Sequence, residues 1–515
     1  MTLRFVPSAP APGAAPAPDA LRPAQSGRAV DSAAASALIG TGAAEAGVRA
    51  LVEGRALAVT TGQQAGLFTG PAYTIYKALT AATVARALGE RWGLPVVPVH
   101  WVAGDDHDFA EIDHCAVTSV EGAPVTIRLR EREAHAPLLP AYRELLGPEV
   151  ETALESLAAA LPASEARDET LAWLREAYRP ERSLAEAHAL ALAALLGPLG
   201  VVVARGWDGG LKRAASRVLL GAARRAAAIE QGLVARSREL EAAGLPVPVE
   251  VGDGLSLLLV EGRLGRDRLR IEADHFVTRR GGERFTLSDI EALLESEPQR
   301  LSANVLLRPV VEAAVFPTVG YVGGPGELAY LRQSDPVFEA LEVPRPARLP
   351  RLSGFIVDAR VDKVLARYGL EPGDFARPEG ELTSRVAREA LPQSALRALE
   401  QLRAAVVERY AALQAEAAAI DRTLERTVET ARNSALVGSQ EIEKKLVAAL
   451  KRQGDQALQQ ITRTRQALFP GGQPQERVLC WASFAGRFGY EALELVKGAA
   501  ERQAALLLDG PRVRV

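Results

Sequence analysis

One short segment brings together side chains that can transfer a proton, bind a metal ion or bind an amine. Residues 103–114 read AGDDHDFAEIDH, with Asp106, His107 and Asp108 in succession. Because imidazole titrates near neutral pH, a histidine flanked by carboxylates can act as a general base. The same groups can bind a divalent metal ion, or hold the ammonium group of an amino-acid substrate. The remaining alternative is a solvated loop whose aspartates cap the next helix.

A glycine-rich loop is the second candidate site. Residues 60–77 read TTGQQAGLFTGPAYTIYK, which matches neither the dinucleotide fingerprint nor the phosphate loop. Glycines permit close backbone approach, glutamine amides donate and accept hydrogen bonds, and the start of a helix favours an anion. Thr69 can cap that helix, and Tyr73 and Lys77 share one of its faces. The candidate binding residues are Gly62, Gln63, Gln64, Gly66, Thr69, Gly70 and Tyr73, and Lys77 is a candidate catalytic cation. The alternative is a tight turn beside a solvated lysine.

A second glycine loop, VGGPGELAY at residues 322–330, follows an apolar run that contains Arg308. A buried arginine requires an anionic partner, which is either an internal carboxylate or a ligand. We expect a helix to begin at Glu327, directly after the loop. The candidate binding residues here are Asn304, Arg308, Gly323, Gly324, Gly326 and Glu327.

Apolar runs before these segments predict the elements that position them. Residues 56–60 and 96–102 are predicted to be strands, and residues 71–89 a helix whose first residue is Pro71. Strand, loop, helix and strand in succession predict a βαβ unit with parallel strands. Ligands bind beyond the carboxyl ends of such strands. The glycine loop and the acidic segment are therefore expected to lie at one edge of the sheet.

The rest of the chain predicts insertions and a coiled coil. Helices are expected over residues 28–52 and 150–195, a strand at 200–205, a helix to about residue 243, a β-rich insertion at 246–280, and a return to the sheet at 304–322. Leu399, Val406, Leu413 and Ile420 recur every seven residues, as in a coiled coil. We expect two antiparallel helices, with the turn at residues 421–423 or at 438–439.

Composition excludes several classes of protein. The net charge of −3 argues against a nucleic-acid platform, and no apolar run is long enough to cross a membrane. Two distant cysteines exclude a disulfide framework and a thiolate-rich zinc site, and they suit a reducing cytoplasm. No spacing specific for metal ligands is present, so we assign no metal site. The Ala/Pro-rich N-terminus is expected to be a mobile arm.

Four stretches resemble the bacillithiol synthases, the BshC family. They are TGQQAGLFTGPAYTIYK at residues 61–77, PVHWVAGDDHDFAEIDH at 98–114, NVLLRPVVEAAVFPTVGYVGGPGELAY at 304–330 and LFPGGQPQERV at 468–478. The matches follow one another in order over nearly the whole chain. Only the N-terminal arm and the β-rich insertion lie outside them.

The resemblance implies an enzyme that adds L-cysteine to glucosaminyl malate through an amide bond, completing bacillithiol in the cytoplasm. It implies a Rossmann-like α/β core similar to class I aminoacyl-tRNA synthetases, with connective insertions and a C-terminal antiparallel coiled coil that forms a homodimer. By that analogy ATP with Mg²⁺ activates cysteine as an adenylate, although the HIGH and KMSKS strings are absent and GPAY at residues 70–73 is the nearest counterpart. The glycine loop would hold phosphate or malate carboxylates, and residues 106–108 would position the cysteine ammonium group or deprotonate the amine.

The expected organisation follows from these assignments. It comprises an arm (1–27), the first half of the core (28–150), connective insertions with one core strand (151–303), the second half of the core (304–385), the coiled coil (386–469) and a C-terminal segment that packs on the core (470–515). Two other functions are compatible with the residues alone. One is a nucleotide-binding ligase that acts on another amine or amino sugar, and the other is a non-catalytic coiled-coil scaffold.

Overall fold

A computed structural model describes residues 3–8, 18–133, 135–389, 391–453 and 455–509. The chain forms two compact units: residues 3–356 together with the chain end from Gln475 onwards, and residues 357–474 between them. The expected boundary at residue 386 therefore lies inside the second unit. Most of the proline-rich stretch of the expected arm, residues 9–17, lies outside the described residues.

A six-stranded sheet is the centre of the larger unit. Its strands in spatial order are Ala347–Pro350, Thr318–Gly323, Leu57–Gln64, Val96–Ala103, Val202–Arg205 and Leu38–Ile39. The first five are parallel, which confirms the predicted sheet, and Leu38–Ile39 is antiparallel at the edge. The two middle strands are covered on both faces, and their near-continuous burial explains why they read as unbroken apolar runs.

The strand Leu57–Gln64 pairs on its two sides with strands from different parts of the sequence. The next strand along the chain, Val96–Ala103, pairs on one side, and the later strand Thr318–Gly323 pairs on the other. Thr61 Oγ1 donates to the carbonyl of Val322 at 2.8 Å, which ties the strand Leu57–Gln64 to the strand Thr318–Gly323. In a doubly wound sheet such a switch point opens a crevice beyond the carboxyl ends of the strands.

Helices cover both faces of the sheet, and several begin or end away from their predicted positions. In the larger unit they are Arg22–Gln25, Ala44–Val52, Tyr73–Trp92, Phe109–Ile112, Glu149–Ala160, Glu165–Ala177, Leu184–Leu196, Gly209–Ala214, Ser216–Arg224, Ala226–Ala242, Leu287–Ser296, Arg308–Val315, Pro325–Gln333, Asp335–Ala340, Gln475–Val478, Trp481–Phe488 and Tyr490–Asp509. Residues 28–52 are not one helix, because a 3₁₀ turn and the edge strand precede Ala44. Pro71 lies before the helix that begins at Tyr73, and the helix expected at Glu327 begins two residues earlier.

The expected β-rich insertion is present as a separate five-stranded antiparallel sheet. Its strands in order are Arg284–Phe285, His275–Thr278, Gly265–Glu272, Leu255–Gly262 and Leu301–Ala303. The insertion therefore starts and ends later than the predicted 246–280. A hairpin of His114–Thr118 and Pro124–Arg128, which the sequence did not reveal, follows the acidic segment.

Both chain ends pack on the core. Arg4–Pro7 is a strand beside Gly354–Val357, so this part of the expected mobile arm is ordered. Phe5 packs edge-on against Tyr76 with ring centroids 5.6 Å apart. From the chain end, the Cys480 amide donates to the Ala116 carbonyl at 2.8 Å.

The second unit contains the coiled coil. Its helices are Ala359–Tyr368, Glu379–Glu389, Gln393–Ile420, Leu424–Gln453 and Asp455–Leu468. The two long helices are antiparallel, since Arg403 donates to Ser439 Oγ at 3.2 Å and also to Glu443. Their turn falls at the first of the two predicted positions, where Asp421 accepts from the Thr423 amide at 2.8 Å.

Candidate functional site

A cavity of about 550 Å³ opens at the switch point of the central sheet, between that sheet and the inserted sheet. Ten of the predicted site residues line it: Gly62, Gln63, Gln64, Tyr73, Asp106, Asn304, Arg308, Gly324, Gly326 and Glu327. The other seven predicted residues are not part of the lining: Gly66, Thr69, Gly70, Lys77, His107, Asp108 and Gly323. The structure thus brings residues from three distant segments to one crevice.

The strand end Gly62–Gln64 forms one wall. The Gln63 side chain donates to Tyr73 Oη at 3.2 Å and accepts from Lys77 Nζ at 3.1 Å. Gln64 Nε2 donates to Asp106 Oδ2 at 2.7 Å and to Glu111 at 2.7 Å. The two amides therefore connect the glycine loop to the helix behind it and to the acidic segment beside it.

The rest of the glycine loop turns away from the cavity. A Cβ atom on Gly66 would lie 2.8 Å from Gly70 Cα, so these glycines permit the loop to pack against itself. Tyr178 Oη accepts from the Thr69 amide at 2.8 Å, and His188 Nδ1 lies 2.9 Å from the Gly66 carbonyl oxygen. Thr69 has a left-handed φ of 74° and does not cap the helix, whose N-cap residue is Ala72. The predicted capping role of Thr69 is wrong, because the loop needs a further turn before the helix begins.

Lys77 is fully buried directly behind the lining. Its Nζ donates to Glu327 Oε1 at 2.7 Å and to the Gly62 carbonyl, so the alternative of a solvated lysine is wrong. Burial lowers the pKa of Lys77, and Glu327 opposes that shift. Burial alone would raise the pKa of Glu327, but Lys77 and the Gly324 amide hold it below its ordinary value. Tyr321 Oη also donates to Glu327, at 2.9 Å.

Arg308 opens a helix instead of lying in a strand, because residues 308–315 are helical before the chain enters the sheet at Thr318. Its guanidinium group pairs with Glu312 at 2.5 Å and donates to Tyr321 Oη at 3.0 Å. The partner is therefore the internal carboxylate, although Arg308 also lines the cavity. Asn304 Oδ1 accepts from the backbone amides of residues 306 and 307 and so shapes the approach to this helix.

Of the charged residues in the acidic segment, only Asp105 and Asp106 line the cavity. Asp105 pairs with buried Lys212 at 2.7 Å. The pKa of Asp106 is lowered: burial would raise it, but Arg266 and the Gln64 amide stabilise the carboxylate. Burial and Arg266 lower the pKa of His107 to about 4. Asp108 is exposed, and neither Asp108 nor His107 is part of the lining.

Several cations of the lining were missed at the sequence level. Lys212, Arg266 and Arg268 come from the insertions, and Arg351 and Arg477 come from the chain beyond the second glycine loop. The one signal for Arg477 was its place in LFPGGQPQERV at residues 468–478, one of the four stretches that carry the family resemblance. The others are separated from the glycine loop by long stretches of chain, and nothing in their local sequence sets them apart.

The lining carries excess positive charge. Six lysine and arginine residues face three carboxylates, Asp105, Asp106 and Glu327, whereas the whole chain has a net charge of −3. Arg351 is neutralised by Glu476 at 2.7 Å, with both side chains buried. Arg477 lines the cavity and has no hydrogen-bonding or ion-pairing partner among the described residues. Within the same described ranges, no group of three or more histidine, cysteine, aspartate or glutamate residues is placed to hold a metal ion.

Comparison with known proteins adds independent information. The family model "Bacillithiol biosynthesis BshC, N-terminal Rossmann-like domain" matches residues 32–352, and "Bacillithiol biosynthesis BshC, C-terminal coiled-coil domain" matches residues 354–503. Three relatives share the printed name "Putative cysteine ligase BshC". The chain is 31% identical to the relative from Koribacter versatilis over 86% of this chain and 82% of that protein. It is 32% identical to the one from Salinibacter ruber (82% and 77%), and 33% identical to the one from Heliobacterium modesticaldum (87% and 81%).

Proposed function

Because the chain belongs to the BshC family of bacillithiol biosynthesis, we propose that it is a ligase that joins L-cysteine to the amine of glucosaminyl malate through an amide bond. The observation that carries the proposal is the cavity at the switch point, whose excess positive charge suits an acidic substrate. Glucosaminyl malate bears two carboxylates on its malate part, and arginine forks bind carboxylates through paired hydrogen bonds.

Asp106 is the residue that we assign to bind the amine of glucosaminyl malate. Its carboxylate faces the cavity and keeps a lowered pKa, so it is charged at neutral pH. A charged carboxylate attracts an ammonium group and stays paired with it while the substrate is positioned. Gln64 holds the other side of the carboxylate at 2.7 Å, which limits the directions from which the amine can approach.

Lys77 acts through its neighbours, since it does not reach the lining. It fixes Gln63 and Glu327, the residues that connect the two glycine loops. Glu327 in turn accepts from the Gly324 amide at 2.9 Å, which shapes the start of the helix Pro325–Gln333. We propose Lys77 as a positioning residue of the site.

ATP with Mg²⁺ is our proposed activating cosubstrate, because a free carboxylate does not form an amide with an amine in water without activation. ATP, when bound, would supply that activation by adenylylating the cysteine carboxylate, which would give a mixed anhydride with AMP and release pyrophosphate. A Cβ atom on Gly326 would meet nothing within 4 Å, so the helix start is open to the cavity, beside Arg351 and Arg477. These residues would hold the phosphates, and Mg²⁺ would enter with them, as it usually does.

The test is a reconstitution with matched variants. Purified protein is incubated with L-cysteine and glucosaminyl malate, with and without ATP and Mg²⁺, and the products are identified by mass spectrometry. Bacillithiol that forms only with ATP, together with AMP, supports the ligase and the adenylate route. ADP in place of AMP would contradict the adenylate. No bacillithiol under any condition would contradict the proposed function.

The aspartates on either side of His107 supply the matched control. Asp106→Asn removes the charge that faces the cavity and should lower kcat/KM by roughly 100-fold, the loss expected for about 3 kcal/mol of a charge-assisted contact. Asp108→Asn changes an exposed neighbour outside the lining and should stay within about twofold of the wild type. Equal losses in both variants would contradict the role of Asp106.

We further propose that the coiled coil forms a homodimer. Leu413 and Ile420 of the predicted heptad are 53% and 82% exposed in the single chain, and such leucine-type seams are buried by a partner helix. Light scattering should give about twice the 54.8 kDa of one chain. Leu413→Glu should shift the mass to the monomer, whereas a monomeric wild type would contradict the proposal.

A cytoplasmic location is part of the proposal. Both cysteines, Cys115 and Cys480, are free and buried, which agrees with a reducing compartment. Within the part of the chain that the structure describes, no helix has the length and apolar character required to span a membrane.

A further inference from the structure

Arg266 is the second residue of the strand Gly265–Glu272 of the inserted sheet, and it lies at the cavity wall. It is 8% exposed. Nε donates to Ser302 Oγ at 2.8 Å, Nη2 to the Ala303 carbonyl at 2.9 Å, and Nη1 lies 3.1 Å from His107 Nδ1. A guanidinium group has five N–H bonds, so one on each Nη atom has no acceptor among the described residues.

The contact with Arg266 decides the protonation of His107. An arginine nitrogen can only donate, so His107 Nδ1 must accept and carries no proton. Burial and the positive charges of Arg266 and Arg280 favour the neutral ring. The negative charges of Asp106 and Asp108 favour the protonated ring, but their effect is smaller. A neutral imidazole without a proton on Nδ1 carries it on Nε2. Its one lone pair for proton transfer is therefore already occupied.

We propose that Arg266 is an anion-binding residue of the cavity and that His107 is its positioning residue, not a proton acceptor. The anion is a carboxylate or phosphate oxygen, which the two remaining N–H bonds of Arg266 can bind. The choice of reactant rests on the proposed function: the candidates are the malate carboxylates, the cysteine carboxylate and the phosphates of ATP. The inserted sheet thus supplies a binding residue as well as a wall.

The neighbouring charges support this role. Asp105 is paired with Lys212 at 2.7 Å, and Asp106 lies 3.9 Å from Arg266, which is beyond hydrogen-bonding distance. Arg268 lies two residues along the same strand and therefore on the same face. Its buried Nη2 has no hydrogen-bond partner among the described residues, and the residue also lines the cavity. Two arginines with unused donors thus face one end of the cavity.

The first experiment reads the protonation of His107 directly. The chain has six histidines, so ¹⁵N-histidine labelling gives a small set of ring resonances, and His107→Gln assigns the relevant pair. At pH 7 we expect a proton on Nε2 and none on Nδ1, with protonation of the ring only well below pH 6. In Arg266→Gln the ring should protonate at a higher pH, because a neighbouring cation is lost. A proton on Nδ1 in the wild type would overturn the positioning role.

The second experiment measures anion binding by calorimetry. L-malate, L-cysteine and Mg-ATP are titrated separately into the wild type and Arg266→Gln. At least one should bind roughly 10- to 100-fold more weakly to the variant, and its identity tells which reactant Arg266 holds. Arg266→Lys keeps the charge without the fork and should recover part of the loss. Arg224→Gln, which changes an exposed arginine of a surface pair, is the control and should bind as the wild type does.

Two variants of His107 test whether it positions Arg266. His107→Gln offers an amide oxygen to Arg266 and should keep most of the affinity, whereas His107→Leu offers no acceptor and should lose it. Equal affinity of the wild type and Arg266→Gln for every ligand would overturn the proposal. If the wild type binds none of the three ligands, the proposed function fails. Inorganic phosphate then decides the anion site alone, since binding to the wild type but not to Arg266→Gln supports it, and no binding overturns it.

Discussion

Glu327→Gln tests whether the buried pair of Lys77 and Glu327 holds the switch point together. The variant keeps the shape of the side chain but removes the negative charge beside Lys77, which is fully buried at 2.7 Å from Glu327. Breaking a buried ion pair from one side costs about 3–5 kcal/mol, because the remaining charge is left without its partner. Two neutral acceptors, Gln63 and the Gly62 carbonyl, stay in place and favour the lower half of that range.

The loss of unfolding free energy can be expressed as a shift in the melting temperature, Tm. The entropy of unfolding is about 2.1 cal/mol/K per residue, so a unit of roughly 400 residues has about 0.8 kcal/mol/K. A loss of about 3–4 kcal/mol therefore lowers Tm by about 4–5 °C. The assay is thermal unfolding at one scan rate, followed by tryptophan fluorescence. The matched control is Glu291→Gln, which removes an exposed partner of Arg224 and should shift Tm by less than 1 °C.

Two further measurements separate this explanation from general damage. The double variant Lys77→Met with Glu327→Gln removes both charges, so it should be destabilised by less than the sum of the single variants. In Glu327→Gln, Lys77 binds its proton less tightly in the folded state than in the unfolded state. Stability should then rise with pH, and the difference from the wild type should narrow between pH 7 and pH 10. A Tm shift of Glu327→Gln equal to that of the surface control would refute the reasoning.

Three other substitutions test the packing and the buried histidine. A Cβ atom on Gly104 would lie 2.3 Å from the Trp207 ring, so Gly104→Ala should cost about 1–3 kcal/mol and lower Tm by about 1–4 °C. Gly438 is exposed in a helix interior with nothing within 4 Å, so Gly438→Ala should stabilise the coiled-coil unit by about 0.5–1 kcal/mol, measured by urea unfolding. Burial lowers the pKa of His188 to about 4 from 6.5, so the unfolded state binds the proton first and stability is lost as pH falls from 6.5 towards 4. His188→Asn, whose amide can still donate to Gly66, should lose less Tm between pH 6.5 and pH 4.5 than the wild type.

The position of the cavity could be predicted because it depends on local features. An apolar run followed by glycines or by acidic residues marks the end of a buried strand, and the ends of parallel strands share one edge. Gly62, Gln64 and Asp106 therefore met as expected, and Glu327 joined them from the second glycine loop. The turn of the coiled coil was predictable for a similar reason, since an aspartate that accepts from a nearby amide marks it.

The sequence did not reveal which residues of the glycine loop face the cavity. A glycine reports close approach of the backbone, but it does not tell whether a ligand or the protein itself comes close. At Gly66 and Gly70 the neighbour is the loop, which turns these residues away from the cavity. Arg266 and Lys212 were missed for a different reason. Their contacts with His107 and Asp105 join residues 159 and 107 positions apart, and only the tertiary structure brings them together.

The distribution of charge explains why a lysine that does not reach the ligand is buried at the site. Lys77 lies behind the lining and is neutralised by Glu327, and Arg308 in the lining is neutralised by Glu312, so these two pairs carry no net charge. The Lys77–Glu327 pair joins the helix Tyr73–Trp92 to the second glycine loop, whereas Arg308 and Glu312 lie one turn apart in the same helix. The donors without an acceptor among the described residues lie in front, on Arg266 and Arg268 of the inserted sheet and on Arg477 near the chain end. A ligand anion therefore meets donors that need not leave an internal carboxylate to bind it, and the buried pairs hold those donors in place before it arrives.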